Sequence, residues 1–220
     1  MVIVQHLKDK VGKRFPLLNY YKEIPVSYDA KLLNVENEMA EFEVHEYQAK
    51  VIHMQKKALM FAQPPNGLPE DVCGEAFYVN SAKKRVILCN FGYARIRSNK
   101  RRFVRVRLDR GVQADLISEV DVLKGNVIDI SIGGAAITFM DSEQLVPGCE
   151  HNLFIKLPEG ASGEITEVGM TATVVSIVGD GAPYTCIFEF HPEKHSQQQI
   201  AYYINKRQVE IIKELKELKC

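Results

Sequence analysis

Five arginines crowd residues 101–110: Arg101, Arg102, Arg105, Arg107 and Arg110. Arginine is a planar fork of N–H donors that stays charged, so it can grip phosphate oxygens in pairs. It can also address the O6 and N7 edge of guanine, or lie on a purine face. Some twenty residues on comes Asp129-Ile130-Ser131-Ile132-Gly133-Gly134. Asp129 can accept from the N1–H and N2–H edge of guanine. Ser131 can donate to phosphate or hold its neighbour in place. The glycines permit a tight turn and close ligand approach. Together the two segments read as a receptor for a small anionic nucleotide. The bland alternatives stand beside that reading: a solvated basic edge for the arginines, and a polar-dressed β-turn for the second segment.

Position follows from the strands expected around these residues. If the first segment is extended, alternation puts Arg101, Phe103, Arg105 and Arg107 on one face. Val104, Val106 and Leu108 then enter the core. Strand-like runs are expected at 103–108, 111–117, 125–131, 135–139, 151–157, 170–178 and 184–190. Gly133-Gly134, Pro147-Gly148, Pro158–Gly163 and Gly179-Asp180-Gly181 separate most of them. Many short strands at such spacing suggest a barrel or sandwich. Pro192 stops the last strand, and Ser196 with Gln199 forms an S-x-x-Q capping box. A helix follows with Ile200, Ile204, Ile211, Leu215 and Leu218 on one stripe. Its bland role is packing on the barrel; the alternative is a coiled coil with a second copy.

Upstream, residues 24–35 and 39–44 read as strands joined through Glu36-Asn37-Glu38. Residues 47–59 have helical spacing, with Tyr47, Val51, Met54 and Ala58 on one side. Pro64-Pro65-Asn66-Gly67 is a break. Residues 72–79 and 85–91 read as a hairpin. The expected organisation is a small β domain over 1–94, a linker over 95–102 and a second domain over 103–220.

Bulk composition narrows the function. The chain has 220 residues, 46% hydrophobic and 25% charged, which suits one large or two small globular domains. Lys plus Arg equals Asp plus Glu at 28 each, so the molecule is no polycation. The charge is nonetheless uneven: residues 95–110 hold eight basic residues and one acid, Asp109. Five cysteines without a CxxC pair suggest free thiols in a reducing cytoplasm. Residues 1–15 are too charged for a signal peptide, and no apolar run approaches the ~18 residues that span a bilayer. The expectation is a soluble cytoplasmic protein without membrane insertion. His191 and His195 flank Pro192, which spoils the spacing a metal pair would use, so no metal or other cofactor is expected. Cys89 and Cys186 read as core thiols. No phosphate-binding loop, nucleophile elbow or HExxH occurs, so the chain does not read as an enzyme.

The two segments, in this order and at this separation, resemble the PilZ domain family. The family pattern R-x-x-x-R is matched by Arg101-Arg102-Phe103-Val104-Arg105. Its [D/N]-x-S-x-x-G is matched by Asp129-Ile130-Ser131-Ile132-Gly133-Gly134. The resemblance covers about residues 97–212 and includes the C-terminal helix around residues 200–210. It implies a six-stranded β-barrel that binds cyclic di-GMP, a bacterial second messenger. Arg101 and Arg105 would hold phosphates and guanine edges, with Arg102 as a helper. Asp129, Ser131, Gly133 and Gly134 would complete the pocket. Lys100 precedes the motif, where a basic residue leans towards an intercalated pair of ligands. Residues 20–95 are similar to the barrel preceding PilZ in flagellar-brake proteins of the YcgR type, most closely over Glu43-Val44-His45-Glu46-Tyr47-Gln48-Ala49.

The expected fold class is therefore mainly β, with two small barrels and an amphipathic C-terminal helix. The expected function is a cyclic di-GMP receptor whose ligand reorients the two domains. Its output would act on motility, pilus or exopolysaccharide machinery, with a protein partner in a motor, pilus or secretion assembly and a link to biofilm formation. The alternative is a cyclic di-GMP-dependent nucleic-acid-binding regulator. The final helix leaves a homodimer open.

Overall fold

The computed structural model describes residues 2–62, 68–94, 102–117, 121–159 and 164–218. The chain is mainly β, as its alternation and turn signals imply, and forms two closed six-stranded barrels. By contacts it divides into two units. One comprises Met1–Tyr21, Pro25–Arg101 and Ile212–Cys220, the other Lys22–Ile24 and Arg102–Ile211.

The first unit opens with helix α1 (Val2–Lys8), then strands β1 (Arg14–Tyr21), β2 (Ile24–Glu36) and β3 (Met39–Glu43). Helix α2 (Glu46–Gln55) precedes β4 (Lys57–Met60), β5 (Val72–Asn80) and β6 (Arg85–Tyr93). The strand order is β1-β2-β3-β6-β5-β4, closed by β1 against β4 with Leu17 opposite Met60. The expected turn between β2 and β3 is tight: Asn37 and Glu38 both take positive φ, 48° and 62°, the geometry that suits a two-residue hairpin. Phe15, Leu17, Leu32, Phe42, Met60 and Leu88 fill the barrel, and Ile3, Val4 and Leu7 of α1 join the same core.

The helix expected over 47–59 is shorter. It ends at Gln55, where Lys56 turns left-handed (φ 57°) and donates its backbone N–H to the Ile52 carbonyl. Lys57–Met60 then pairs with β5 and closes the barrel. Ala58 and Leu59 fit a helical period, but barrel closure gains more from them as strand residues.

A buried polar network ties α2 to the barrel wall. Gln48 Nε2 donates to Asn19 Oδ1 at 2.7 Å, and Asn19 Nδ2 donates to Gln55 Oε1 and to the Lys57 carbonyl, both at 2.7 Å. Asn19 and Gln48 are both buried. Asn19→Ala strips the Gln48 amide of its acceptor inside the protein. A buried donor without a partner costs ~1–3 kcal/mol. The variant should therefore lose about 2–3 kcal/mol of stability in denaturant unfolding of the full chain.

The second unit contains β7 (Val106–Ile117), β8 (Val122–Ser131), β9 (Gly134–Phe139), β10 (Glu150–Glu159), β11 (Glu164–Val178) and β12 (Tyr184–His191). Their order is β10-β11-β12-β9-β8-β7, closed by β10 against β7 with Leu153 opposite Leu116. Phe139, Ile155, Phe188 and Leu116 are among its buried side chains. Cys186 lies here, fully buried, and burial pushes its thiol up to about 11. Cys89, expected in the core, is only half-buried in β6.

Helix α3 (Lys194–Glu217) ends the fold. It begins at Lys194, so Ser196 lies inside the helix and does not cap it. Its hydroxyl donates instead to the Gly169 carbonyl at 2.9 Å. Ile200, Ile204 and Ile211 are buried. Leu215 is grouped with the first unit, buried with Val26 and Val51 beside Tyr21, Tyr47 and Leu218. Ile212–Cys220 groups by contacts with the first unit, where Leu215 and Leu218 find their apolar partners.

Candidate functional site

The two sequence segments meet at the start of β7 and the β8–β9 hairpin, all within the second unit. Ser131 and Gly134 face each other across that hairpin, and Ile132-Gly133 form its two-residue loop. The loop is held from three sides. Ser131 Oγ donates to the Gly134 carbonyl at 3.0 Å, and Ser131 is buried. The Gly133 carbonyl accepts from Phe190 N–H at 3.1 Å. Gly134 presses against β12 so closely that a Cβ there would stand 2.1 Å from the Phe188 carbonyl oxygen. Glycine is required at that point by space.

The arginine segment reaches this loop by a route the alternation pattern does not predict. Arg102 and Phe103 form a bend, and the strand begins only at Val106, opposite Ile130. Val106 is buried, Leu108 is half-buried and Val104 is 43% exposed, so of the three expected core residues only Val106 is fully inside. The cause is Phe103. Its ring sits over Gly133, 2.8 Å from where a Cβ would be, and a ring seated there turns the chain out of the ladder. The runs expected at 103–108 and 111–117 also prove to be one strand. Its register shifts between Arg107 opposite Asp129 and Val112 opposite Val127. An extra stretch is accommodated there as a bulge, which bends the strand instead of ending it.

Arg105 follows the bend and points its guanidinium at Asp129, with Nη1 3.7 Å from Oδ1. Both side chains are partly buried, at 31% and 15% exposure. The separation exceeds the ~2.7–2.9 Å of a charge-assisted hydrogen bond. The pair therefore orients the guanidinium without the bidentate clasp that would use up its donors. Arg102, three residues earlier in the chain, is exposed. Lys100 and Arg101 lie outside the described residues, as does nearly all of the expected linker 95–102. Of the expected site residues, the structure thus brings together Arg105, Asp129, Ser131, Gly133 and Gly134, with Arg102 three positions before Arg105 in the chain.

Phe103 sits against Gly133 of this candidate site and is absent from the residues the motifs point to. Its signal was an aromatic residue inside the R-x-x-x-R spacer, half-hidden by the assumption of strand alternation. Asp109, the lone acid of the basic run, also has a clear role. It pairs with Lys22 and, at 2.5 Å, with Arg207 of α3. Arg207 additionally reaches Glu210 at 3.1 Å. Among the described residues no group of three or more histidines, cysteines or carboxylates could hold a metal ion. None of their helices is long and apolar enough to cross a membrane.

Residues 99–206 match the family model described as PilZ domain. No curated protein matches the chain. Among solved structures, it is similar to the Bacillus subtilis inhibitor of motility (MotI/DgrA), at 16% identity and a TM-score of 0.47. That match covers 91% of this chain and 97% of the other. Escherichia coli YcgR in complex with c-di-GMP matches at 14% identity and a TM-score of 0.46, over 99% and 93% of the respective chains. The K. pneumonia MrkH–c-di-GMP complex matches at 15% identity and a TM-score of 0.43, over 99% and 94%.

Proposed function

We propose that this chain, which carries a PilZ domain matched over residues 99–206, is a receptor for cyclic di-GMP. The observation that carries the reading is the Arg105–Asp129 pair beside the stapled Gly133-Gly134 loop. A cation and an anion stand together at a surface where backbone can approach a ligand closely. Arg105 suits a phosphate or the O6 and N7 edge of guanine, and Asp129 suits the N1–H and N2–H edge. Ser131 serves by holding the loop through the Gly134 carbonyl. In this reading Arg101 and Arg102 add further phosphate contacts, and Lys100 favours two ligands per chain. The role is binding, without catalysis.

The arginine run lies in the chain between the two barrels. Ligand capture there is proposed to change their mutual orientation, and that change is the signal passed to a protein partner in motility, pilus or exopolysaccharide machinery. Charge-assisted contacts contribute ~1.5–3 kcal/mol each, and micromolar affinity needs about 8 kcal/mol net, so a handful suffices. Isothermal titration of the full chain with cyclic di-GMP should show saturable binding at micromolar concentration, with two ligands per chain. Absence of heat and of any shift at ten times that concentration would overturn the receptor assignment. Small-angle scattering at saturation tests the output separately; identical profiles with and without ligand would remove the reorientation step.

A further inference from the structure

A cleft far from the arginine motif in sequence opens on the first barrel. Its volume is about 360 Å³, and it is lined by Arg14, Tyr28, Asp29, Lys31, Glu43, Val44, His45 and Lys84. That size falls at the lower end of the ~300–1,000 Å³ of small-molecule pockets. Three features define what would fit.

The first is a prepared aromatic surface. Tyr28 lies flat on the His45 ring, with centroids 4.0 Å apart and planes 7° from parallel. The Tyr47 ring lies 5.0 Å from His45, tilted by 57°. His45 is fixed from behind, because its Nδ1 accepts the Tyr47 backbone N–H at 3.2 Å and so caps α2. Tyr28 breaks the inward alternation of β2: Val26, Ala30 and Leu32 are buried, whereas Tyr28 is 37% exposed. An aromatic ring held flat, backed on one side and open to solvent is a stacking platform whose ordering cost is already met.

The second is cationic. Arg14, Lys31 and Lys84 come from β1, β2 and the β5–β6 turn, and none of them forms an ion pair among the described residues. Lys31 even stands opposite Glu43 in the ladder without pairing with it. The third is the presence of two carboxylates, Asp29 and Glu43, against the three basic side chains Arg14, Lys31 and Lys84. An acidic peptide would meet repulsion from them. A fatty or purely apolar ligand would find little wall beyond Val44. A ligand with a planar ring, hydroxyl or N–H donors and an anionic tail uses all three features at once.

We infer that this cleft binds a nucleoside monophosphate: the base on Tyr28, sugar hydroxyls or base N–H groups on Asp29 and Glu43, and the phosphate on Arg14, Lys31 and Lys84. The site is independent of the cyclic di-GMP reading and uses none of its residues. AMP is the probe, titrated into the full chain and followed by calorimetry and by the His45 imidazole resonances. AMP should bind and shift those resonances, whereas adenosine and inorganic phosphate alone should each bind at least tenfold more weakly. Tyr28→Ala and Lys31→Glu should each weaken AMP about tenfold or more, and Tyr28→Phe should retain it. Arg105→Ala should leave AMP affinity within twofold. No binding at millimolar AMP, or undiminished binding by both Tyr28→Ala and Lys31→Glu, overturns the assignment. Loss of AMP binding in Arg105→Ala would overturn it too, by placing the nucleotide at the arginine motif.

Discussion

Arg105→Ala should weaken cyclic di-GMP binding by about 2–5 kcal/mol, the cost of leaving a partly buried opposite charge without its partner. At ~1.4 kcal/mol per decade, that is on the order of thirty- to several-thousand-fold. The lower bound applies if water reaches Asp129 once the guanidinium is gone, and the upper bound if the site stays closed. The expected loss is large because Arg105 has two roles. In the proposed reading it contacts the ligand, and Asp129, which sits across the ladder from Arg107, aims it. Arg105→Lys separates these roles. A lysine keeps the charge but loses the planar fork, so most of the loss should remain. Calorimetric titration of both variants at one salt concentration decides the matter. Wild-type affinity in the alanine variant would remove Arg105 from the site, while leaving the PilZ domain itself untouched.

Gly134→Ala should produce the largest stability loss of any single methyl group in the second barrel. The new Cβ would lie 2.1 Å from the Phe188 carbonyl oxygen, and that oxygen belongs to a strand backbone. No rotamer can relieve the contact; β9 and β12 must separate where Gly134 and Glu189 face each other. Overpacking costs ~1–3 kcal/mol even where side chains can adjust, so a loss of about 3 kcal/mol or more is expected here. For a domain of ~100 residues each kcal/mol shifts the melting temperature by ~4–8 °C. Scanning calorimetry should therefore show the corresponding transition fall by at least ~10 °C. The same substitution should also impair cyclic di-GMP binding, since the Ser131 hydroxyl holds the loop through the Gly134 carbonyl. A variant that melts like wild type would show that the two strands yield more readily than their register implies.

Much of this architecture is legible in the sequence because turn chemistry and alternation coincide. Asn37-Glu38 and Ile132-Gly133 both stand between runs of strand residues, and both become two-residue hairpin loops. The stripe of Ile200, Ile204 and Ile211 announces the terminal helix by spacing alone. Local patterns fail where a distant contact outweighs them. Phe103 alternates correctly for a strand, yet its ring settles over Gly133, thirty positions away in the chain. Ala58 and Leu59 fit the α2 period but are needed to close the first barrel. Ser196 with Gln199 reads as a capping box, yet the hydroxyl is drawn to the Gly169 carbonyl. In each case the winning partner is remote in sequence, so no window of neighbours contains the information. The same holds for the candidate site: residue types identify Asp129 and Arg105, but only the fold supplies Phe103.

Closure of both barrels has a consequence for how a partner could be recognised. Each first and last strand is already paired, β1 with β4 and β10 with β7. A closed barrel offers no open row of backbone donors and acceptors for an incoming strand. Where these described strands are paired, recognition by strand addition is thereby shut off. Any recognition of another protein at these paired strands would then rest on side chains, not on backbone pairing. Such side chains can diverge rapidly between relatives while the ladders beneath them stay the same.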